Sequence, residues 1–168
     1  MFHFMASSDR DFHLAGVQAY NNFMAQEFCA ADQDRLFFLA QMPNLGPDAM
    51  IEEMQRCHEM GCNGVIITTW PCGGDELSRE DEKFFAAAAE MQMPVNIHVT
   101  IRRKTANPKI NITGVSAIGA MACAGVLNFL PIMTEIIMSG IFDRLPNLKI
   151  HGVEVEAGWI PWAFEAID

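Results

Sequence analysis

Residues 93–100 read MPVNIHVT, and their alternation decides the fold. Val95, Ile97 and Val99 alternate with Asn96, His98 and Thr100, the period of a β-strand with one apolar and one polar face. The preceding FFAAAAEMQ (84–92) reads as a helix. A strand that follows a helix in an alternating chain belongs to a sheet whose two faces are both covered. The polar face is therefore not simply the wet face. In a parallel sheet closed into a barrel, Val95, Ile97 and Val99 suit the helix layer, and Asn96, His98 and Thr100 point to the interior.

Working outward from this strand, the same alternation of elements recurs. LAGVQAYNNFMAQEFCAA (14–31) reads as a helix with Val17, Phe23, Met24 and Phe28 on its apolar side. RLFFLAQMP (35–43) is an apolar strand run. LGPDAMIEEMQRCHEMG (45–61) is a helix with Pro47 near its first turn and Gly61 as its stop. CNGVIITTW (62–70) is the next strand, ending in the loop PCGGDE. SREDEKFFAAAAEMQ (78–92) is a helix with Ser78 as N-cap and acids in its first turn. After PVNIHVTI come a long loop, an apolar helix, the strand LKIHGVEVE (148–156) and the opening of another helix, IPWAFEAID. The expectation is an α/β chain of four βα units with a parallel sheet and right-handed crossovers.

Composition narrows the function classes. The chain has 168 residues, 51% of them hydrophobic, enough for one domain with a core. Its net charge is −10, and the only basic run is Arg102, Arg103 and Lys104, so a nucleic-acid surface is excluded. No strand is followed by a glycine-rich phosphate-binding turn, which leaves dinucleotide or P-loop chemistry without support. The five cysteines, Cys29, Cys57, Cys62, Cys72 and Cys123, are odd in number and show no CxxC spacing, so reduced thiols in a cytoplasmic protein are expected. No charge occurs between Lys109 and Glu135, but the glycines, Asn128 and Pro131 in that run favour a helix buried on a sheet over a membrane span.

Few residues are candidates for chemistry. His98 lies in the C-terminal half of its strand, where barrel sites form, although a histidine bonded within the core is the plain alternative. Glu154 stands at the end of LKIHGVEVE. If the valines of that strand face the helices, Glu154 points in and His151 lies outside. A carboxylate there acts as a general acid/base, supports a metal ligand, or is an ordinary paired or solvated glutamate. Asn96 on the interior face and Trp70 at a strand end are candidate substrate contacts, with packing as the simpler role for Trp70. His3, His13 and His58 carry no signal, and Cys72 has no base near it in sequence.

The ordered set AYNNFMAQEFCAADQDRL, GCNGVIITT, FFAAAAEMQMPVNIHV and IMSGIFDRLPNLKIHGVEVEAGWIPWAFEAID resembles the amidohydrolase-related (amidohydrolase 2) family. This is the group of metal-dependent decarboxylases and hydrolases similar to aminocarboxymuconate-semialdehyde decarboxylase and γ-resorcylate decarboxylase. The resemblance implies a TIM (β/α)8 barrel of which residues 1–168 form one incomplete domain, approximately strands three to six with their helices. It implies a divalent metal, zinc first and manganese second, with His98 at the strand-five ligand position and Glu154 at the strand-six position. It also implies a small carboxylated or carbonyl substrate. The HxH or ExH pair and the final aspartate of the family pattern have no match here. Four strands leave two open sheet edges, at RLFFLAQMP and LKIHGVEVE, and an uncovered inner face, so the chain is expected to be a central fragment that oligomerises or depends on missing barrel segments, inactive alone. The alternative is a non-catalytic barrel remnant acting as an oligomeric or interaction module.

Overall fold

A computed structural model describes residues 3–98, 101 and 129–167. Helix α1 (Arg10–Phe23) continues through a π-helical turn (Met24–Phe28) and a 3-10 turn (Cys29–Ala31). There follow β1 (Ala40–Gln41), α2 (Pro47–Glu59), β2 (Val65–Ile67), α3 (Glu82–Glu90) and β3 (Val95–His98). Helix α4 is described over 129–138, and α5 (Ile141–Arg144), β4 (Ile150–Val153) and α6 (Ile160–Ile167) complete the chain. The strands form one parallel sheet in the order β1-β2-β3-β4. This is the α/β arrangement expected, a four-stranded arc of a (β/α)8 barrel.

Local signals in the sequence set the helix ends. Asp9 caps α1 by accepting from the backbone N–H groups of Asp11 and Phe12, so the helix starts four residues earlier than its apolar pattern suggests. Pro47 occupies the first turn of α2, and Gly61 follows that helix at φ +83°, where a side chain would be strained. Ser78 and Asp81 form a reciprocal capping box before α3.

Register explains the alternation in MPVNIHVT. Ala40, Val65, Val95 and Ile150 make one cross-sheet row, and Ile67, Ile97 and Gly152 the next on the same face. This face carries the core, which includes Met50 and Met54 of α2, Phe84 and Phe85 of α3, and Phe129, Ile132 and Ile136 of α4. The opposite face carries the row Gln41, Ile66, Asn96 and His151, followed by His98 and Val153. Three of the four residues in the first inner row are polar, because this face looks into the barrel rather than onto helices.

Four expectations are corrected. His151 lies on the inner face beside Asn96, since Val95 pairs with Ile150 and the second helix-side place is taken by Gly152 against Phe129. The first strand is two residues long rather than nine. Phe23 and Phe28 are about half exposed, because α1 buries His13, Val17 and Asn21 instead. The edge of β1 is not left unpaired. Gln41 turns its backbone N–H and C=O away from β2, and the Asn21 side chain takes both, at 2.9 and 3.0 Å. Asn21 thus stands in for a neighbouring strand, and Pro43 next along the edge has no N–H to satisfy. Val99, Thr100, the whole of the long loop and the apolar run up to residue 128 lie outside the described residues. Among the described residues no helix is long and apolar enough to cross a membrane.

Candidate active site

The C-terminal ends of the strands bring two titratable side chains together. His98 closes β3, and Glu154 follows β4 directly. His98 Nε2 and Glu154 Oε2 stand 3.4 Å apart, an ion-pair separation rather than a tight hydrogen bond. The Glu154 side chain is 71% exposed and that of His98 26%. Glu154 and Glu156 both have left-handed backbone, at φ +60° and +56°. Such a conformation costs about 1 kcal/mol per non-glycine residue. The turn is held by Trp159, whose indole N–H lies 2.8 Å from the Val155 carbonyl oxygen and 3.2 Å from that of Glu156. The Trp159 ring packs edge-on against Phe129, 6.1 Å between centroids. A half-buried tryptophan packed against the core thereby fixes the strained turn that lays Glu154 over His98.

Below this pair lies a cavity of about 420 Å³. Its floor is the inner face of the sheet, with Gln41, Ile66, Thr68 and His98. Tyr20 and Met24 of the first helical segment, together with Met5, lean over it. The inner face was expected to be uncovered, and on the β1 side it is partly roofed by these residues. The lining is mainly apolar, with Tyr20, Gln41, Thr68 and His98 as its polar members.

Asn96 is on the inner face as expected, but its side chain is fully engaged. Its amide N–H groups donate to the carbonyl oxygens of Val65 and Pro94, at 2.9 and 3.3 Å, and its Oδ1 lies 3.3 Å from His151 Nδ1. Trp70 sits on the helix side, 1% exposed and edge-on to Phe85 at 6.4 Å. It does not line the cavity. Burial and the neighbouring Asp81 push the Cys72 thiol up, against any role as a thiolate nucleophile.

Two polar clusters gave no signal in the sequence. His13 is buried, and its Nε2 accepts the Asn44 backbone N–H at 3.1 Å. Burial first, and Arg10 second, lower its pKa, so the ring is neutral, as an accepting Nε2 requires. The second cluster centres on Glu53 of α2, 2% exposed. It accepts from Asn21 at 2.7 Å and from Arg56 at 2.6 and 2.9 Å. On the same helix His58 is exposed, whereas Glu53 is buried.

Among the described residues no group of three or more His, Cys, Asp or Glu is placed to hold a metal ion. His98 and Glu154 supply two donors, whereas a catalytic zinc takes three protein ligands and a water. These residues alone do not fit a complete metal centre.

A parallel half-barrel with a histidine and a carboxylate at its C-terminal rim defines the class of protein. The amidohydrolase family model matches residues 6–166, and the chain belongs to that family. It is similar in fold to 2,6-dihydroxybenzoate decarboxylase from Rhizobium, at 24% identity and a TM-score of 0.72, with 98% of this chain and 52% of that one covered. It is likewise similar to 5-carboxyvanillate decarboxylase from Sphingomonas paucimobilis, at 22% identity and a TM-score of 0.69, covering all of this chain and 49% of that one. A third similar structure is 5-carboxyvanillate decarboxylase from Novosphingobium aromaticivorans, solved with bound manganese (21% identity, TM-score 0.67, 98% and 46% covered). The chain thus spans about half the length of these structures. A search of curated proteins by sequence gave no match.

Proposed function

We propose that this chain forms part of a metal-dependent hydrolase or decarboxylase of the amidohydrolase family, acting on a small carboxylated or carbonyl compound. The observation that carries this reading is the placement of His98 against Glu154 at the strand ends, above an apolar cavity of about 420 Å³. His98 serves as a ligand to a divalent metal, zinc or manganese, whose remaining donors come from outside the described residues. Such an ion polarises a carbonyl or carboxylate, or lowers the pKa of a water. Glu154 holds or passes a proton beside it, as its exposure and reach allow. The cavity takes the apolar body of the substrate, with the polar end toward His98. The similarity to two aromatic-acid decarboxylases supports an aromatic carboxylate as the first substrate class to try. A cytoplasmic location fits the free thiols at Cys29, Cys57, Cys62 and Cys72.

The test is the metal content of the purified protein beside its His98→Ala variant. After equal exposure to zinc or manganese, the wild type is expected to retain several-fold more ion than the variant. Equal, small amounts in both would remove His98 from the ligand set.

A second reading, a non-catalytic module that associates with further strands, is favoured by the two-donor site. The outward backbone groups of Ile150 and Gly152 on β4 have no partner among the described residues. A second copy or the remaining barrel strands pair there. Decarboxylation of 2,6-dihydroxybenzoate or hydrolysis of a carbonyl substrate by the wild type, lost in Glu154→Gln, decides for the enzyme.

A further inference from the structure

We propose that His13 is a positioning residue of the candidate site, fixing Asn44 through its unprotonated Nε2 and, through Asn44, the Thr68 side chain on the cavity wall. The inference rests on the functional reading only in treating that cavity as the ligand site.

Three elements meet at the C-terminal rim of the sheet. From α1, His13 Nε2 receives the Asn44 backbone N–H at 3.1 Å. Three residues earlier on the same helix, Arg10 donates to the Leu45 carbonyl oxygen at 3.2 Å. The two side chains grip consecutive residues of the loop between β1 and α2. From that loop, the Asn44 Oδ1 accepts the Thr69 hydroxyl at 3.0 Å and lies 3.4 Å from the Thr68 hydroxyl; its Nδ2 also lies 3.4 Å from Thr68 Oγ1. Both threonines directly follow β2, and Thr68 lines the same cavity as His98.

Thr68 is the hydroxyl in this cavity closest along the sheet to the His98 end, one residue beyond β2. Its rotamer depends on Asn44, and the place of Asn44 depends on the loop that His13 and Arg10 hold. His13 itself does not line the cavity, so it acts through its neighbours.

The arrangement has a built-in dependence on protonation. The Nε2 atom accepts a hydrogen bond only while it carries no proton. Protonation sets an N–H donor against the Asn44 N–H donor, and the loop contact is lost. The charged group that acts on His13 is Arg10, on its own helix, and it opposes protonation; the group facing it from the loop, Asn44, is uncharged. Burial and Arg10 both depress the pKa of His13, so the contact persists as pH falls through the ordinary histidine range and breaks below it.

Solution NMR from about pH 8 to about pH 4 tests this, following the His13 ring, the Asn44 amide and the Thr68 methyl. In the wild type the three signals are expected to titrate together. In His13→Gln, whose amide oxygen reaches the Nε2 place without titrating, the Asn44 and Thr68 signals are expected to stay near their neutral wild-type positions throughout. His13→Phe, lacking an acceptor, is expected to show displaced Asn44 and Thr68 signals at every pH. The proposal is overturned if Thr68 does not move with the His13 ring, or if it goes on titrating in His13→Gln. If His13→Phe does not fold, the wild type and His13→Gln still decide.

Titration with 2,6-dihydroxybenzoate by calorimetry reads the consequence. Relative to His13→Gln, the wild type is expected to match at neutral pH and bind about fivefold more weakly once His13 is protonated, the effect of one lost hydrogen bond. A wild type that tracks His13→Gln at every pH overturns the link to the cavity. If neither protein binds the probe, the functional reading fails, while the NMR outcome still decides the role of His13.

Discussion

Glu53→Ala is expected to destabilise the protein by about 2–4 kcal/mol, seen as an early midpoint in urea unfolding. The Glu53 carboxylate is buried between α1 and α2 and accepts two hydrogen bonds from Arg56, one from Asn21 and one from the Cys57 thiol. Removing it takes two hydrogen bonds from the Arg56 guanidinium, which keeps Asn22 Oδ1 at 2.6 Å, and one from the Asn21 amide, which keeps the Gln41 carbonyl oxygen. The Arg56 side chain is about one third exposed, so water recovers part of the loss, which keeps the expected cost below that of a wholly buried pair. Glu53→Gln retains an oxygen for Asn21 and is expected to cost about half as much. A loss under about 1 kcal/mol in Glu53→Ala would show that the network is not structural.

The same substitution has a second consequence. Glu53 holds Asn21, and Asn21 satisfies both outward backbone groups of Gln41 on the β1 edge. Without Glu53, that edge is opened to pairing with other chains. Glu53→Ala is therefore expected to associate more than the wild type in concentration-dependent size-exclusion runs.

Its pH dependence follows from the same contacts. Burial alone would raise the Glu53 pKa, but the hydrogen bonds from Arg56 and Asn21 and the Arg56 charge bring it below the ordinary value. A depressed carboxylate contributes stability that is present above its unfolded pKa and is lost as pH falls through the folded one. The wild type is expected to lose this part of its stability in that acidic window, while Glu53→Gln does not.

Much of the architecture was legible because local rules and the fold agree. The helix FFAAAAEMQ, its Ser78 cap and the two-residue alternation of VNIH each have one comfortable solution, and the structure adopts it. The site was legible in part. His98 could be placed at a strand end from its own segment, whereas its approach to Glu154 depends on a left-handed turn that no apolar pattern encodes. Trp159, which pins that turn, reads in sequence as one more core aromatic. Glu53 and His13 were missed for a shared reason. Each is a polar helix residue with a burial partner about 30 positions away: Glu53 has Gln18 and Asn21 beyond its local partners Arg56 and Cys57, and His13 has Asn44. The faces of β4 were assigned wrongly because valine marked the apolar side, while the residue that meets the helix layer is Gly152.

Gly152→Val is expected to cost at least as much as the loss of a buried side chain, about 3 kcal/mol, and to disturb the site as well. A Cβ built on Gly152 comes within 2.5 Å of the Phe129 ring and 2.7 Å of Val155 Cγ2. No real contact is that short, so Phe129 and Val155 must both give way. Phe129 is buried and has Trp159 edge-on beside it, so a shift of its ring is expected to disturb the indole that holds the Val155 and Glu156 carbonyls. That route carries a change on the helix side of β4 to Glu154 on the inner side. Two readings should therefore move together: a lower urea midpoint and altered near-ultraviolet tryptophan dichroism in the folded state. Gly152→Ala is expected to show the same changes at smaller size. Phe129→Leu, which shortens the ring that the new methyl meets, is expected to restore part of the stability in the Gly152→Ala background while costing stability alone. Additive losses in that pair would mean that the glycine answers to something other than Phe129. The close packing of Gly152 against Phe129 makes this the place where sheet, helix layer and candidate site are coupled through one missing side chain.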